Sequence, residues 1–396
     1  MERLRPYAPH IYYFFFFAAA ASYAPFLAFW LKESGLTNQQ VGIIYSIGPL
    51  IALFVQPMWG FLCDRFGIEK KALLLCSIMT PLIAFGYSTG AGFAVYALTA
   101  VLLAFFSSPM APLADAITVS HVNKYRQSFG GARVWGSIGF AAIVVPMGLL
   151  YGVIGIRWMF WFYLAGMIAV FAVTLFLEKG SVRKQVSWRD LARLLGNKEF
   201  AVFMLFVFFV AYGAQSYGVF FSVYVGTTGS EVAEKIGMLS FISASSELPF
   251  FIFANWLCKR FGYSKILAAG ALAGSIRLFV LSLDPSLPAL MLNQLFQGAA
   301  FGLFYAAGVQ YANKISPEGM KTTGQTLFSM IFANMAILAA SNAGGWLIDH
   351  HGFSTMFGTA AGLSLVGCLG FLFLPLVSRF LKFGAAGTQA ARNETV

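Results

Sequence analysis

Apolar residues in this chain come in long runs broken by short polar segments, and the runs are too long for the strands or surface helices of a water-soluble fold. A helix that crosses the roughly 30 Å hydrocarbon core of a bilayer needs about 20 such residues. Twelve stretches of that kind can be read, centred near residues 21, 51, 80, 105, 142, 167, 212, 246, 273, 299, 334 and 365. FFFFAAAASYA in the first stretch also offers the small residues of a cleavable leader, but the apolar run is nearer 20 residues than 10, which favours a spanning helix. Pro25, Pro49, Pro57, Pro109 and Pro112 fall inside the first, second and fourth stretches and predict bends there. One long polar interval, EKGSVRKQVSWRDLARLLGNKE, separates six stretches from six. It predicts a cytoplasmic linker over 179–198 with an amphipathic helix at 187–195.

Composition agrees with a membrane protein. Of 396 residues, 59% are hydrophobic and only 10% charged, which leaves too little polar surface to enclose a water-soluble core. Threading twelve helices with the N terminus inside places 21 of the 26 Lys and Arg residues on the cytoplasmic side and only Lys32, Arg157 and Lys235 outside. That asymmetry predicts a multi-pass protein of a bacterial-type cytoplasmic (inner) membrane with both termini cytoplasmic. The net charge of +11 then reads as orientation and contact with anionic lipid, because the cations are dispersed over short segments rather than gathered for nucleic acid.

The remaining two cations, Arg133 and Arg277, lie within the fifth and ninth stretches, and Asp115 and Glu247 lie within the fourth and eighth. An unpaired charge in hydrocarbon costs several kcal/mol, so all four should face the protein interior or a water-filled cavity. Hairpin geometry matches them in depth. Asp115 and Arg133 are equidistant from residue 124 in the turn HVNKYRQS, roughly 13 Å above it, and Glu247 and Arg277 are equidistant from Gly262, roughly 22 Å above it.

LCDRFG at 62–67 recurs as LCKRFG at 257–262, each copy after the second stretch of a set of six. The expected architecture is therefore an all-α membrane protein of twelve transmembrane helices in two six-helix pseudo-symmetric halves, 1–178 and 199–380, followed by a cytoplasmic tail over 381–396.

Within that frame GFLCDRFGIEKK, residues 60–71, resembles the loop signature of the major facilitator superfamily. Gly60, Asp64, Arg65, Gly67 and Lys70 match it, whereas Ile68 and Glu69 depart from its basic pattern. The resemblance implies a cytoplasmic gate in which Asp64 accepts hydrogen bonds from a helix N terminus and Arg65 binds carboxylates. A solvated turn is the other reading of these residues. YFFFFAAAASYAPFLAFWLKESG, VGIIY, VQPMWGFLCDRFG and SFGGARVWG are similar to the lactose permease family of oligosaccharide and proton symporters. SSPMAPLADA with ARVWGSIGF looks more like the phenylpropionate permease branch, and RVWGSIGF is also similar to nucleoside and proton symporters. In the sugar symporters a carboxylate and an arginine eighteen residues apart hold the solute hydroxyls. Asp115 and Arg133 match both positions, which makes them substrate ligands by resemblance, with Asp115 also a candidate for proton coupling. Ser137 and Phe140 share the helical face of Arg133 at i+4 and i+7. Phe140 stands where those proteins stack a tryptophan on galactose, which argues against galactosides.

In the second half the resemblance weakens. The helix 10 histidine and glutamate that handle protons in the lactose permease family are absent from NQLFQGAAFGLFYAAG, which supplies Gln294, Gln297 and Tyr305. Glu247 and Arg277 remain as the proton-coupling candidates: burial disfavours an ionised carboxyl and a nearby guanidinium favours it. A permanent structural ion pair is the alternative. Tyr23, Gln215, Tyr217, Gln294, Gln297 and Tyr305 lie inside spans, where they can bind a hydroxylated or aromatic solute or hold helices together.

No Walker loop, HExxH or GxSxG appears, and the four cysteines form no CxxC, so neither an enzyme nor a metal site is expected. The resulting expectation is a proton-driven importer that needs no cofactor and works as a monomer, its partners a small organic solute, protons and lipid. Its solute would be a sugar, a glycoside or an aromatic acid. An exporter working by proton antiport is the alternative, although GFAAIVVPMG lacks the glycine before proline of an antiporter signature.

Overall fold

The computed structural model describes residues 2–177, 194, 196–318 and 320–393, and every described element is helical. Of the predicted linker, 179–193 and 195 lie outside the described residues, and so do the amphipathic helix expected there, apart from Leu194, and the end of the tail at 394–396.

Eleven helices among the described residues are long and apolar enough to cross a membrane. They are α1 (Arg5–Glu33), α2 (Asn38–Phe66), α3 (Glu69–Ser88), α4 (Phe93–Lys124), α5 (Phe129–Ile154), α6 (Ile156–Thr174), α7 (Lys198–Gly226), α8 (Val232–Phe261), α9 (Tyr263–Ser282), α10 (Leu287–Ile315) and α11 (Thr323–Pro375). The stretches predicted around residues 334 and 365 lie on either side of Gly352, whose dihedrals (φ 81°, ψ 172°) are not helical. Side chains such as Val153, Ile252 and Phe54, 84%, 74% and 72% exposed, point outward, as lipid-facing positions of a multi-pass membrane protein do.

Local chemistry explains the helix ends. Thr37 opens α2 with a capping box, its hydroxyl accepting from the Gln40 N–H while the Gln40 side chain accepts from the Thr37 N–H. Ser128 caps α5 through the Gly131 N–H at 3.0 Å, and Asn197 accepts from the N–H groups of Glu199 and Phe200 at the start of α7. The repeated hexamer acquires a backbone reason: Gly67 and Gly262 both end a helix with positive φ, 61° and 86°, a conformation that a side chain disfavours. Of the expected proline bends, α4 is interrupted at Ser108 and Pro109, whereas α1 and α2 run through Pro25, Pro49 and Pro57.

The chain divides into two compact units, one of residues 1–185, 219–244 and 341–350, the other of 186–218, 245–340 and 351–396. In the first, α1 lies close to α5 and α6 because small residues leave room: a Cβ at Gly139 would strike the Phe14 carbonyl, and one at Gly166 would come within 2.7 Å of Ala19. Tyr12, Tyr13, Trp59, Leu73, Met110, Ile117 and Met167 fill its core. The same unit holds a long-range cap. The Asp349 carboxylate accepts from the Asn38 backbone N–H (3.1 Å), the Asn38 side chain (2.7 Å) and the Gln39 N–H (2.8 Å), so the first turn of α2 is satisfied by a residue 311 positions away.

The second unit is built around Phe200, Phe203, Leu267, Phe304, Phe328, Phe332 and Phe371. Two π-helical turns, Gly298–Leu303 and Met330–Met335, interrupt its helices. Such turns put an extra residue into the helix and leave carbonyls open to other donors.

Candidate functional site

Each unit holds one of the two acid and base pairs read within the apolar stretches, and in each a third side chain links them. In the first unit Tyr13 of α1 donates its hydroxyl to Asp115 at 2.5 Å. The same ring lies 5.2 Å from the Arg133 guanidinium, and the Phe17 ring lies beneath that guanidinium at 4.2 Å. Two aromatic faces thus supply the negative potential that a cation in an apolar helix requires. Gly136, one turn beyond Arg133, makes the arrangement possible, since a Cβ there would come within 2.6 Å of Phe17 and 3.0 Å of the guanidinium. Asp115 and Arg133 are both only partly buried, which leaves them open to a ligand.

In the second unit the backbone geometry comes first. Gly298 brings α10 against α8 so closely that a Cβ would strike the Ser246 carbonyl, and a Cβ at Gly302 would lie 3.2 Å from the Glu247 carbonyl. That approach sets Gln297 beside Glu247, to which its amide Nε2 donates at 3.0 Å. The Gln297 carbonyl oxygen accepts from Nη1 of Arg277. Nη2 of Arg277 donates to the Gln294 Oε1 at 2.7 Å, and the Tyr217 hydroxyl donates to that same oxygen at 2.8 Å. The Tyr217 ring covers the guanidinium at 3.6 Å. Arg277 is only 4% exposed, so these contacts replace the water that a buried cation has lost. The depth match between Glu247 and Arg277 is thus realised through an intervening amide.

Beside this network lies a cavity of about 190 Å³ whose wall includes Gln215, Tyr217, Arg277, Gln297, Phe301 and Phe332. Two buried donors of the network, Arg277 Nε and Gln294 Nε2, have no hydrogen-bond partner among the described residues. Of the two, Arg277 lines the cavity, where a bound solute oxygen would satisfy it, whereas Gln294 lies outside the cavity wall.

Gln215 donates to the Phe332 carbonyl at 3.0 Å, a group in the second π turn. Tyr305 meets the Ser329 hydroxyl at 3.2 Å and stacks on Phe301. Tyr23 stacks on Tyr163 at 4.7 Å, and its buried hydroxyl has no hydrogen-bond partner among the described residues. Ser137 is exposed and Phe140 half-buried. In the loop signature Gly67 forms the cap described above, Gly60 and Asp64 are partly buried, and the exposed Arg65 lies 5.9 and 5.7 Å from the Phe61 and Phe66 rings. Lys70 donates to the Leu175 and Leu177 carbonyls at 2.8 and 2.7 Å, closing the chain end that follows α6.

The sequence reading missed Tyr13, Phe17 and Gly136. Tyr13 and Phe17 are four residues apart on one face of α1, but they sit in a run of aromatics that offers no reason to choose them. Among the described residues no group of three or more His, Cys, Asp or Glu is placed to hold a metal ion.

Residues 9–359 match the model of a family described as MFS_1 like. Over 352 residues the chain is 29% identical to an uncharacterized transporter, YwbF, of Bacillus subtilis (strain 168), covering 87% of each protein. It is 25% identical to a maltose permease of Geobacillus stearothermophilus, covering 88% of this chain and 89% of that one. Proteins named lactose permease and probable 3-phenylpropionic acid transporter also match, which bears out the resemblance read from the motifs. The crystal structure of the nucleoside transporter NupG shares the fold, with a TM-score of 0.83 at 18% identity over 93% of this chain and 98% of that one.

Proposed function

Because the chain belongs to the MFS_1-like family and is a multi-pass transporter of the major facilitator type, we propose that it is a proton-coupled symporter that imports a small organic solute. The solute is a sugar or glycoside, in keeping with the maltose and lactose permease relatives, or an aromatic acid of phenylpropionate type. Twelve spanning helices in two six-helix halves, with the break at Gly352 dividing the last two, work by alternating access. Both termini lie in the cytoplasm, the chain works as a monomer in a cytoplasmic membrane, and the proton gradient is its only energy source.

The observation that carries this reading is the chain of contacts Glu247, Gln297, Arg277, Gln294 and Tyr217 beside a cavity. Glu247 carries the proton: it is the acid of that chain, and its linkage to a buried guanidinium makes its charge matter to the cavity wall. Asp115 and Arg133, with Ser137 and Phe140 along the same helix, bind the solute. The loop around Asp64 and Arg65 works as the cytoplasmic gate.

Uptake of radiolabelled maltose and 3-phenylpropionate into proteoliposomes with an imposed pH gradient tests the reading. The wild type accumulates one of them with its interior alkaline. Glu247→Gln abolishes that accumulation while counterflow, which needs no gradient, persists. Accumulation by Glu247→Gln equal to the wild type would remove Glu247 from the proton path, and extrusion in place of uptake would make the protein an antiporter.

A further inference from the structure

We propose that Gln297 is the residue that couples the proton to the solute. It positions Arg277 and Glu247 through one amide, and the inference rests on the symport reading given above.

The donor and acceptor capacity of each group fixes its orientation. A guanidinium can only donate, so Gln297 must turn its carbonyl oxygen to Arg277, and its Nε2 is thereby committed to Glu247. Gln294 is constrained in the same way, its oxygen taken by Arg277 and Tyr217 and its own Nε2 left without an acceptor. The arrangement is therefore complete at the acid end when Glu247 is ionised and accepts a charge-assisted bond. The groups facing Glu247 are few. Among the described residues Gln297 of α10 donates to its carboxylate, Arg277 of α9 stands on the far side of that amide, and Tyr217 of α7 and the neutral Gln294 of α10 contact the guanidinium.

Protonation of Glu247 replaces the charge-assisted bond to Gln297 with a neutral one of about half the strength. The amide is then less polarised, and the Arg277 guanidinium, 4% exposed and with Nε already unpartnered, needs another oxygen. The cavity that Arg277 and Gln297 line together is where a solute oxygen can supply it. In the opposite direction, a solute oxygen on Arg277 competes with Gln297 for Nη1 and weakens the hold of the amide on the carboxylate. Each event lowers the cost of the other, and by linkage the effect is the same in both directions. The proton arrives from water on the side where the solute enters and leaves to water on the other side, so nothing is consumed. A carrier that is protonated but empty, or loaded but deprotonated, keeps unsatisfied groups in a buried site, which suppresses leak.

The test compares the wild type, Gln297→Leu, which keeps the volume and loses both ends of the amide, and Gln297→Asn, which keeps the amide on a shorter arm. Each full-length protein is reconstituted and assayed with whichever of radiolabelled maltose, 3-phenylpropionate or uridine the wild type accumulates. Size-exclusion profiles establish that the variants are folded. Gln297→Leu is expected to lose roughly tenfold or more of gradient-driven accumulation, the range of a typical coupling free energy. Because Gln297 also lines the cavity, counterflow by this variant falls as well, but what remains loses its pH dependence, a result that a solely structural role does not produce. Gln297→Asn recovers part of the accumulation. Wild-type accumulation by Gln297→Leu overturns the proposal. So does an equal loss of counterflow in both variants, which would make Gln297 a solute contact. If instead the wild type exchanges a probe but never accumulates it under the gradient, the symport reading itself falls, and it does so in the wild type alone.

Discussion

Asp115 shows what a single residue can decide here, because its contact with Tyr13 and its proposed role as a solute ligand separate in one substitution. Asp115→Asn keeps an oxygen for the Tyr13 hydroxyl, so the contact at 2.5 Å has a neutral successor and the fold is retained. The charge is lost, and with it the acceptor that a hydroxyl-rich solute requires. Uptake of maltose should fall at least about tenfold, the order of one charge-assisted hydrogen bond of 1.5 to 3 kcal/mol, whereas a carboxylate solute gripped by Arg133 is spared. Parallel uptake assays with maltose and 3-phenylpropionate check this, and equal losses of both would refute the division of roles. Arg133 itself was legible as a candidate from its place in an apolar run. Its Phe17 and Tyr13 surroundings were not, since cation–π contacts leave no spacing signature between helices more than a hundred residues apart.

At the scale of elements, glycines and caps set which helices approach. Gly139→Ala drives a Cβ onto the Phe14 backbone carbonyl, and backbone in the middle of a helix cannot step aside as a flexible side chain would. The variant should separate α1 from α5, visible as a fall in the monodisperse fraction on size exclusion, while Ala at the open Gly130 position serves as a neutral control. At the first turn of α2, Asp349→Asn keeps one acceptor and loses the charge at the positive end of the helix, an effect of about 1 kcal/mol. Exchange of the Asn38 and Gln39 amides, measured by mass spectrometry, should then quicken roughly fivefold. Unchanged exchange would mean that water caps the turn equally well. The capping box at Thr37 and Gln40 was readable locally, but Asp349 was not, because its partner lies 311 residues away.

For the whole molecule the prediction concerns topology. All four native cysteines are free and buried, which gives a quiet background for single introduced thiols. In intact cells a membrane-impermeant maleimide should label Arg157→Cys and His351→Cys, and should reach Arg126→Cys only after permeabilisation. Labelling of position 351 from the cytoplasmic side would mean that α11 does not turn at Gly352, and the count of twelve spans would fail. The eleven helices follow the apolar runs closely because backbone in hydrocarbon must satisfy its own hydrogen bonds, which leaves the helix as the local solution wherever about 20 apolar residues occur together.

The amino-acid sequence by itself determined that this chain is helical, that it belongs in a membrane, which superfamily it joins, and that Asp115, Arg133, Glu247 and Arg277 fall within its apolar stretches. Those properties depend on composition, run length and short motifs, all of them local. The tertiary structure decided how these residues are partnered. Depth arithmetic set Glu247 and Arg277 opposite one another, but it could not show that Gln297 stands between them, because that depends on α10 meeting α8 backbone to backbone at Gly298. Likewise Asp115 and Arg133 meet through Tyr13, a residue of a third helix. Hydropathy records whether a residue enters the membrane. Which neighbour it finds there is set by the packing of small residues between helices, where a difference of one ångström decides the contact.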